Sequence, residues 1–500
     1  MLLKSRVRCR WLCSSLLITT LLASSLAQAE VNLPDIGTTA DQVFSPAQEQ
    51  ELGQAFVRQL RQQSKVIDAS EVSAYLNALG ARLAAHSENP MQPFEFIAID
   101  DNSINAFAVP GGFIGVHSGL ILSTRDESEL ASVLAHEIAH VTQRHIARTV
   151  EGTSRFSVAS VAAMLAAILV GMKNPEVAQA GVTAVMAGNI QMQIDFTRTH
   201  EKEADRLGME TLAGAGFSPQ SMPSFFERLQ GSSRLYEGNV PEFLRTHPVT
   251  TDRIAEARDR AEQYADSHPV AAQTDSSDYH LMRAKILVAT HKELPKLIKQ
   301  LEASLESGKY RDARAVHYGL ALARLASNTP AGVQTHLDWL QAQDGDRVVY
   351  RLAAAQLAML NKADDQAARI FAEGLKVYPG DTTLSMAYAQ LLLNQSQAAS
   401  AAQVLENTQK TNNPSYYQLL AQAQQALGDT GTAHLSMAEF YYQNGQTGLA
   451  VEQLKQARRL KLSFYLASRV EARLLQLETE LREEKEDKKK QGKDSLRWGK

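Results

Sequence analysis

Apolar positions recur on a helical period through most of this chain, and a short stretch of strand-like alternation interrupts them. In "SPAQEQELGQAFVRQLRQQ", Ser45 is placed to cap a helix and Pro46 to occupy its first turn. "VSAYLNALGARLAAH" predicts a second helix. "FEFIAID" then alternates as a strand, and "INAFAVPGGFIGVHSGLIL" predicts two short strands around Pro110-Gly111-Gly112. Thr124 to Glu127 has capping-box spacing and opens a helix containing "LAHEIAHVTQRH". A later helix contains "RTHEKEADRLGMETLAGAG" and ends near Gly214 or Gly216, and Ser218-Pro219 starts another. "LRTHPVTTDRIAEARDRAEQY" closes this part before a polar linker near "HPVAAQTDSSD".

Beyond about residue 277 the pattern becomes helix after helix, rich in Ala, Leu and Gln. Ala367, Phe371 and Pro379 fit tetratricopeptide offsets, and Ala401 and Leu405 recur 34 residues after the first two. "ALGDTGTA" and "QNGQTGLA" each place a Gly five residues before an Ala, but these turns lie only 17 apart. A degenerate tetratricopeptide-like array is expected, with a plain helical bundle as the alternative. The mixed-charge end, 483–500, is expected to be a frayed or disordered tail.

One helical stretch stands apart. Residues 156–172, "FSVASVAAMLAAILVGM", carry no charge and sit at the lower limit for a membrane span. A second Ala/Gly-rich segment covers 177–190. A hairpin packed on the domain or touching a membrane surface is preferred to a true span, which leaves peripheral membrane contact through 156–190 open.

Composition adds bounds. Five hundred residues exceed one typical core, so two or three domains are expected. The chain is 44% apolar and 21% charged, as a globular protein is. A formal net charge of -4 gives no basic footprint for nucleic acid. Lys4, Arg6, Arg8 and Arg10 precede a short apolar run ending in Ala27-Gln28-Ala29, which predicts a signal peptide over 1–29. Both cysteines, Cys9 and Cys13, lie within it. The mature chain is therefore expected in a periplasm, without disulfides, and any metal site must use His and carboxylates.

"HEIAH" supplies such a site. His136 and His140 lie four apart, about 40° around a helix, so both imidazoles face one way and suit a single zinc ion. Glu137, one step on, is placed to hold and deprotonate a water without being a ligand. His145 lies nine residues after His136, about 900° on, which puts it on the opposite face of a continuous helix. It is expected to be a supporting or helix-end residue outside the ligand set. The third ligand is sought in "HEKEAD", residues 200–205. Glu201 and Asp205 share a face, so one is able to ligate while the other orients a ligand imidazole. Glu203 faces away from Glu201 by about 200°. Spacing favours Glu201, with His200 as the alternative.

"NAFAVPGGFIGVHSGLI", "HEIAH", the E-x-x-A-D of residues 201–205 and "THP" together resemble the M48 family of zinc metallopeptidases over about residues 45–265. The resemblance implies Glu201 as the third zinc ligand and one Zn(2+) per chain. It implies an α+β fold: a mostly helical zincin-type metalloprotease domain with a small sheet (30–270), followed by an all-α tetratricopeptide-like repeat domain (271–482). It further implies unfolded or misassembled outer-membrane β-barrel proteins as clients, and barrel assembly machinery as a partner of the repeats. The "NAFAVPGGF" segment is the expected sheet edge for an extended substrate. Glu137, Asp205 and His247 are the expected catalytic residues. His247, in "THP", has three readings: a packed loop residue, a transition-state donor, or a fourth ligand that closes a resting site. A second function class, a chaperone or scaffold acting through the repeats, stays open.

Overall fold

The structure is a computed structural model, which describes residues 45–63, 66–151, 190–235, 241–267, 276–409 and 411–498. Residues 1–29 and the uncharged run 156–172 lie outside the described residues. Among the described residues, no helix is long and apolar enough to cross a membrane.

Helix α1 (Pro46–Gln63) is capped as its sequence suggests, with Gln48 N donating to Ser45 Oγ at 3.3 Å. Helix α2 (Ser70–Ala84) leads into β1 (Glu95–Ile99), β2 (Ala106–Val109) and β3 (Phe113–His117). These form one sheet in the order β1-β3-β2, with β1 parallel and β2 antiparallel to β3. Gly111 and Gly112 take φ of 82° and 86° to turn between β2 and β3. A Cβ on Gly112 would also meet the Pro93 carbonyl at 2.0 Å, so both the backbone angle and the close approach require glycine.

Apolar residues on both sides of these strands reflect two covers. Ile97, Ile99, Val109 and Phe113 pack with Phe56, Val57 and Leu60 of α1. Phe96, Ala98, Ile114 and Val116 pack with Leu76, Leu79 and Leu83 of α2 and with Leu130 and Leu134. "SGLIL", which looked like a continuation of the second strand, is instead the short helix α3 (Ser118–Ser123), so β3 ends at His117.

Helix α4 (Glu127–Thr142) carries "HEIAH". Its cap differs from the expected one. Asp126, not Thr124, accepts from the N–H of Glu129 at 2.9 Å, and the Glu129 carboxylate accepts from Arg125 N at 2.6 Å. The box is therefore shifted by two residues, because the Thr124 hydroxyl is engaged with the Ile121 carbonyl at the end of α3. After α4 come α5 (His145–Glu151), α6 (Ile190–Gly214), α7 (Ser221–Leu235), α8 (Glu242–Thr246) and α9 (Thr251–Ser267). Gly208 lets α6 lie directly on α4: a Cβ there would stand 3.0 Å from both the N and Cα of His136.

The rest is helical: α10 (Ser277–Thr290), α11 (Leu294–Ser307), α12 (Ala313–Ala326), α13 (Val333–Asp344), α14 (Val348–Leu360), α15 (Asp364–Val377), α16 (Thr382–Asn394), α17 (Ala398–Glu406), α18 (Pro414–Ala426), α19 (Thr430–Gln443), α20 (Thr447–Arg458) and α21 (Phe464–Trp498). Helices α14, α16, α18 and α20 begin 34, 32 and 33 residues apart, a drifting form of the 34-residue repeat. Gly428 and Gly445, with φ of 79° and 72°, end successive helices, so their 17-residue separation is half a repeat. The last helix continues through Trp498, across the segment expected to fray.

The repeats are fixed to the rest of the molecule. Tyr279 of α10 is fully buried and donates to the Thr124 carbonyl at 2.8 Å, and the Arg283 guanidinium reaches the Leu122 carbonyl at 2.7 Å. At the other end, Arg58 of α1 lies over the Tyr442 ring at 4.4 Å, and Gln62 bonds the Gly445 carbonyl. The chain thus curls back onto α1, leaving a cavity of about 780 Å³ beside the outer edge of β1, lined by Asn77, Glu95, Tyr378 and Asn413 among others.

Candidate metal centre and catalytic groups

Helix α4 delivers His136, Glu137 and His140 from one continuous turn, all of them largely or fully buried. Because α6 crosses directly above them at Gly208, Glu201 comes down onto the two imidazoles. His136 Nε2 and His140 Nε2 stand 3.1 Å apart. The two Glu201 oxygens lie 3.5 Å from His136 Nε2 and 3.4 Å from His140 Nε2. His247 Nδ1, at the end of α8, closes the figure at 3.4 Å from His136 Nε2 and 2.9 Å from Glu201 Oε1. All four ligand atoms lie within 4.8 Å of one another.

These residues fit a tetrahedral cation. Atoms bound at 2.0–2.1 Å around such an ion are separated by about 3.3 Å, and the observed separations surround that value. The protons point the same way. His136 Nδ1 lies 3.1 Å from Asp205 Oδ1, which accepts only, so Nδ1 carries the hydrogen and the Nε2 lone pair faces the cluster. Bringing such acceptor atoms together out of water is unfavourable without a proton or cation between them.

Electrostatics favour that cation. Burial opposes charge on His136, but Asp205 and Glu201 outweigh it and raise its imidazole to about 10. Burial also opposes charge on Glu201, yet His247 and the two α4 imidazoles hold its carboxyl well below the usual range. His140, with less compensation from Glu201 and with His136 and His247 beside it, is pushed by burial down to about 4. Glu137 differs: burial raises its carboxyl, His247 and His136 lower it, and the Ala108 backbone N–H of β2 bonds to it. A buried carboxylate with a raised proton affinity, next to the donor cluster, is equipped to accept and return a proton.

The candidate residues divide clearly. His136, His140, Glu201 and His247 bring together four atoms able to hold a metal ion, while Glu137 and Asp205 stand beside them. His200 does not join them: its ring stacks on His145 at 4.1 Å and 9°. His145 departs from its expected place. Helix α4 stops at Thr142, and Arg144 adopts φ of 51°, so the chain turns and His145 swings back to put its Nδ1 2.9 Å from His140 Nδ1. The opposite-face prediction assumed a helix that continues.

Arg253 was not singled out in the sequence. Its Nε and Nη2 grip Asp205 at 2.7 and 2.8 Å, and Nη1 lies 2.9 Å from Glu201 Oε2 and 2.8 Å from the Pro248 carbonyl. One side chain thus ties together the third donor, the carboxylate behind His136 and the loop carrying His247. Phe243 was also missed: its ring stacks on His247 at 4.8 Å. "THPVTTDR" placed both His247 and Arg253 in one short segment, which was the available clue.

Residues 70–261 match the family model described as peptidase family M48. Along most of its length the chain is also similar to named relatives. It is 36% identical over 458 residues to the putative beta-barrel assembly-enhancing protease of Vibrio cholerae, covering 89% of this chain and 92% of the relative. It is 35% identical over 460 residues to the beta-barrel assembly-enhancing protease of Escherichia coli K12, covering 91% and 93%.

The chain belongs to peptidase family M48.

It is therefore a metallopeptidase, and the family implies a metal at its HExxH helix. The metalloprotease LoiP of Escherichia coli K12 shares only a part of it, 27% identical over 195 residues, which is 38% of this chain and 70% of that one. The relatives covering about nine-tenths of this chain span the helical repeats as well as the peptidase.

Proposed function

We propose that this M48 metallopeptidase is an exported zinc endopeptidase, with one Zn(2+) per chain held by His136, His140 and Glu201, that cleaves misfolded or misassembled outer-membrane β-barrel proteins. The observation carrying this reading is the donor cluster: three protein ligands at tetrahedral spacing, with a buried Glu137 alongside. Zinc supplies a Lewis acid for the peptide carbonyl and lowers the pKa of water. Glu137, buried beside the donor cluster, would accept a proton from the attacking water and return it to the departing amine. Asp205 fixes the His136 tautomer, and Arg253 fixes Asp205 and Glu201 in turn.

Strand β2 is the substrate edge in this reading. It pairs with β3 on one side, and among the described residues no strand lies on its other side. An extended peptide bonded along it would run past Ala108, whose N–H touches Glu137, and bring a carbonyl to the site.

In this reading His247 is the resting plug. Its Nδ1, 3.4 Å from His136 Nε2 and 2.9 Å from Glu201 Oε1, would take the position that a hydrolytic metal must leave open, and Phe243 N bonded to the Ile104 carbonyl at 3.0 Å ties its helix to the segment before β2. A protease among unfolded chains needs such restraint.

A periplasmic location follows from the signal peptide expected over 1–29, and clients and assembly machinery from the names of the long relatives. The repeats would hold clients or machinery, with the cavity beside β1 as one seat. No nucleic acid is expected; contact of 156–190 with a membrane surface remains part of the proposal. The competing reading is a scaffold acting through the repeats with minor proteolysis. Glu137→Gln separates them. It should keep zinc, abolish cleavage of an unfolded β-barrel protein and fail to support barrel assembly in cells. Full support by this variant would establish the scaffold instead.

A further inference from the structure

Behind His140, on the side away from the cluster, a second polar chain runs out through α5 to α6. His140 Nδ1 faces His145 Nδ1 at 2.9 Å, and His145 Nε2 faces Glu203 Oε2 at 3.2 Å. Arg148 Nη1 holds the same Glu203 oxygen at 2.9 Å, and His200 stacks flat on the His145 ring. The His145 side chain is 4% exposed and that of Glu203 26%.

Hydrogen inventory orients this chain in one direction. A carboxylate only accepts, so His145 Nε2 carries a hydrogen and donates to Glu203. A neutral imidazole then has a bare Nδ1, which accepts. The hydrogen between the two facing Nδ1 atoms therefore belongs to His140, whose Nε2 is left as a lone pair aimed at His136 Nε2 and Glu201. Glu203 stands to His140 as Asp205 stands to His136, with one imidazole inserted between carboxylate and His140.

The backbone supports a purpose for this contact. Arg144 is a non-glycine residue at φ of 51°, a conformation disfavoured by its Cβ that persists where its surroundings enforce it. Its guanidinium is tied to Glu49 of α1 at 3.0 Å. That turn is what returns His145 to His140. Glu201, Glu203 and Asp205 of α6 thus serve three imidazoles: Glu201 meets both α4 histidines, Asp205 backs His136, and Glu203 backs His145.

We propose that Glu203 and His145 form a positioning pair that sets the tautomer and ring orientation of His140 for metal binding. This rests on the reading that the cluster holds zinc. Neither residue touches substrate or the reacting atoms.

Zinc affinity of the purified full-length protein, measured by competition with a chromogenic chelator, tests it. His145→Leu and Glu203→Ala should each weaken zinc about 10–100-fold, the range for loss of such a partner. His145→Asn, whose carbonyl oxygen is able to accept from His140, should stay close to wild type. Melting of the metal-free proteins should be alike in all three, which a merely structural role would not allow. Wild-type affinity in His145→Leu overturns the proposal. So does equal weakening in Leu and Asn variants accompanied by a lower metal-free Tm. His136→Ala separates this from failure of the zinc reading. If wild type and His136→Ala bind zinc equally poorly, the metal assignment and this inference fall together. If only His136→Ala loses zinc, the assignment stands and the His145 variants decide.

Discussion

Arg253 grips Asp205 with two nitrogens at 2.7 and 2.8 Å, with their side chains only 3% and 7% exposed. The pair stands behind the donor cluster, and breaking it leaves one buried charge without its partner. Arg253→Ala should therefore destabilise the protein by about 3–5 kcal/mol, read as a shift of the urea midpoint. Arg253→Lys should fall between the two, since an ammonium cannot reproduce the fork that holds Asp205 and Glu201 together.

The same pair makes a pH prediction. Burial raises the Asp205 carboxyl, but Arg253 and His136 outweigh it and leave it below its ordinary value of 3.8. A carboxyl whose folded pKa is depressed contributes stability that is fully present above the unfolded pKa and is lost as pH falls through the folded one. Asp205→Asn should thus differ most from wild type at neutral pH. The gap in metal-free urea midpoints should close as pH drops below about 4. A gap independent of pH would show that the carboxylate charge contributes nothing.

Gly208 governs the distance between α6 and α4. Alanine there gains up to about 1 kcal/mol of helix propensity. Its Cβ, however, would stand 3.0 Å from His136 backbone atoms, which cannot rotate away. Overpacking of this kind costs about 1–3 kcal/mol, so Gly208→Ala should be net destabilising and Gly208→Val more so. Both should also weaken zinc, because Glu201 moves off its imidazoles with α6.

His247→Ala removes the atom at the fourth corner. Proteolysis of an unfolded barrel protein, and of the enzyme itself, should rise while zinc stays bound through His136, His140 and Glu201. A loss of cleavage would instead make His247 a donor to the transition state. Unchanged cleavage would remove both roles.

Chain-local features of this protein were legible in its sequence. A helix at 100° per residue forces His136 and His140 onto one face, whatever surrounds them. The helical period gave α1, α2, α4 and α6, the Pro-Gly-Gly turn gave the β2–β3 corner, and the recurrence of Ala367 and Ala401 gave the repeat. Tertiary structure decided whatever depends on where one element stops or which elements meet. His145 rejoined the site because α4 ends at Thr142 and Arg144 turns the chain, a break that periodicity does not mark. Spacing favoured Glu201 over His200, and the packing of α6 on α4 brings Glu201 within 3.5 Å of His136 while His200 stacks on His145. Arg253 and His247 enter the site from α9 and the end of α8, and no spacing rule relates them to α4. Helical spacing follows from backbone geometry alone, whereas a metal site closes only when packing brings separate elements within bond length of one point.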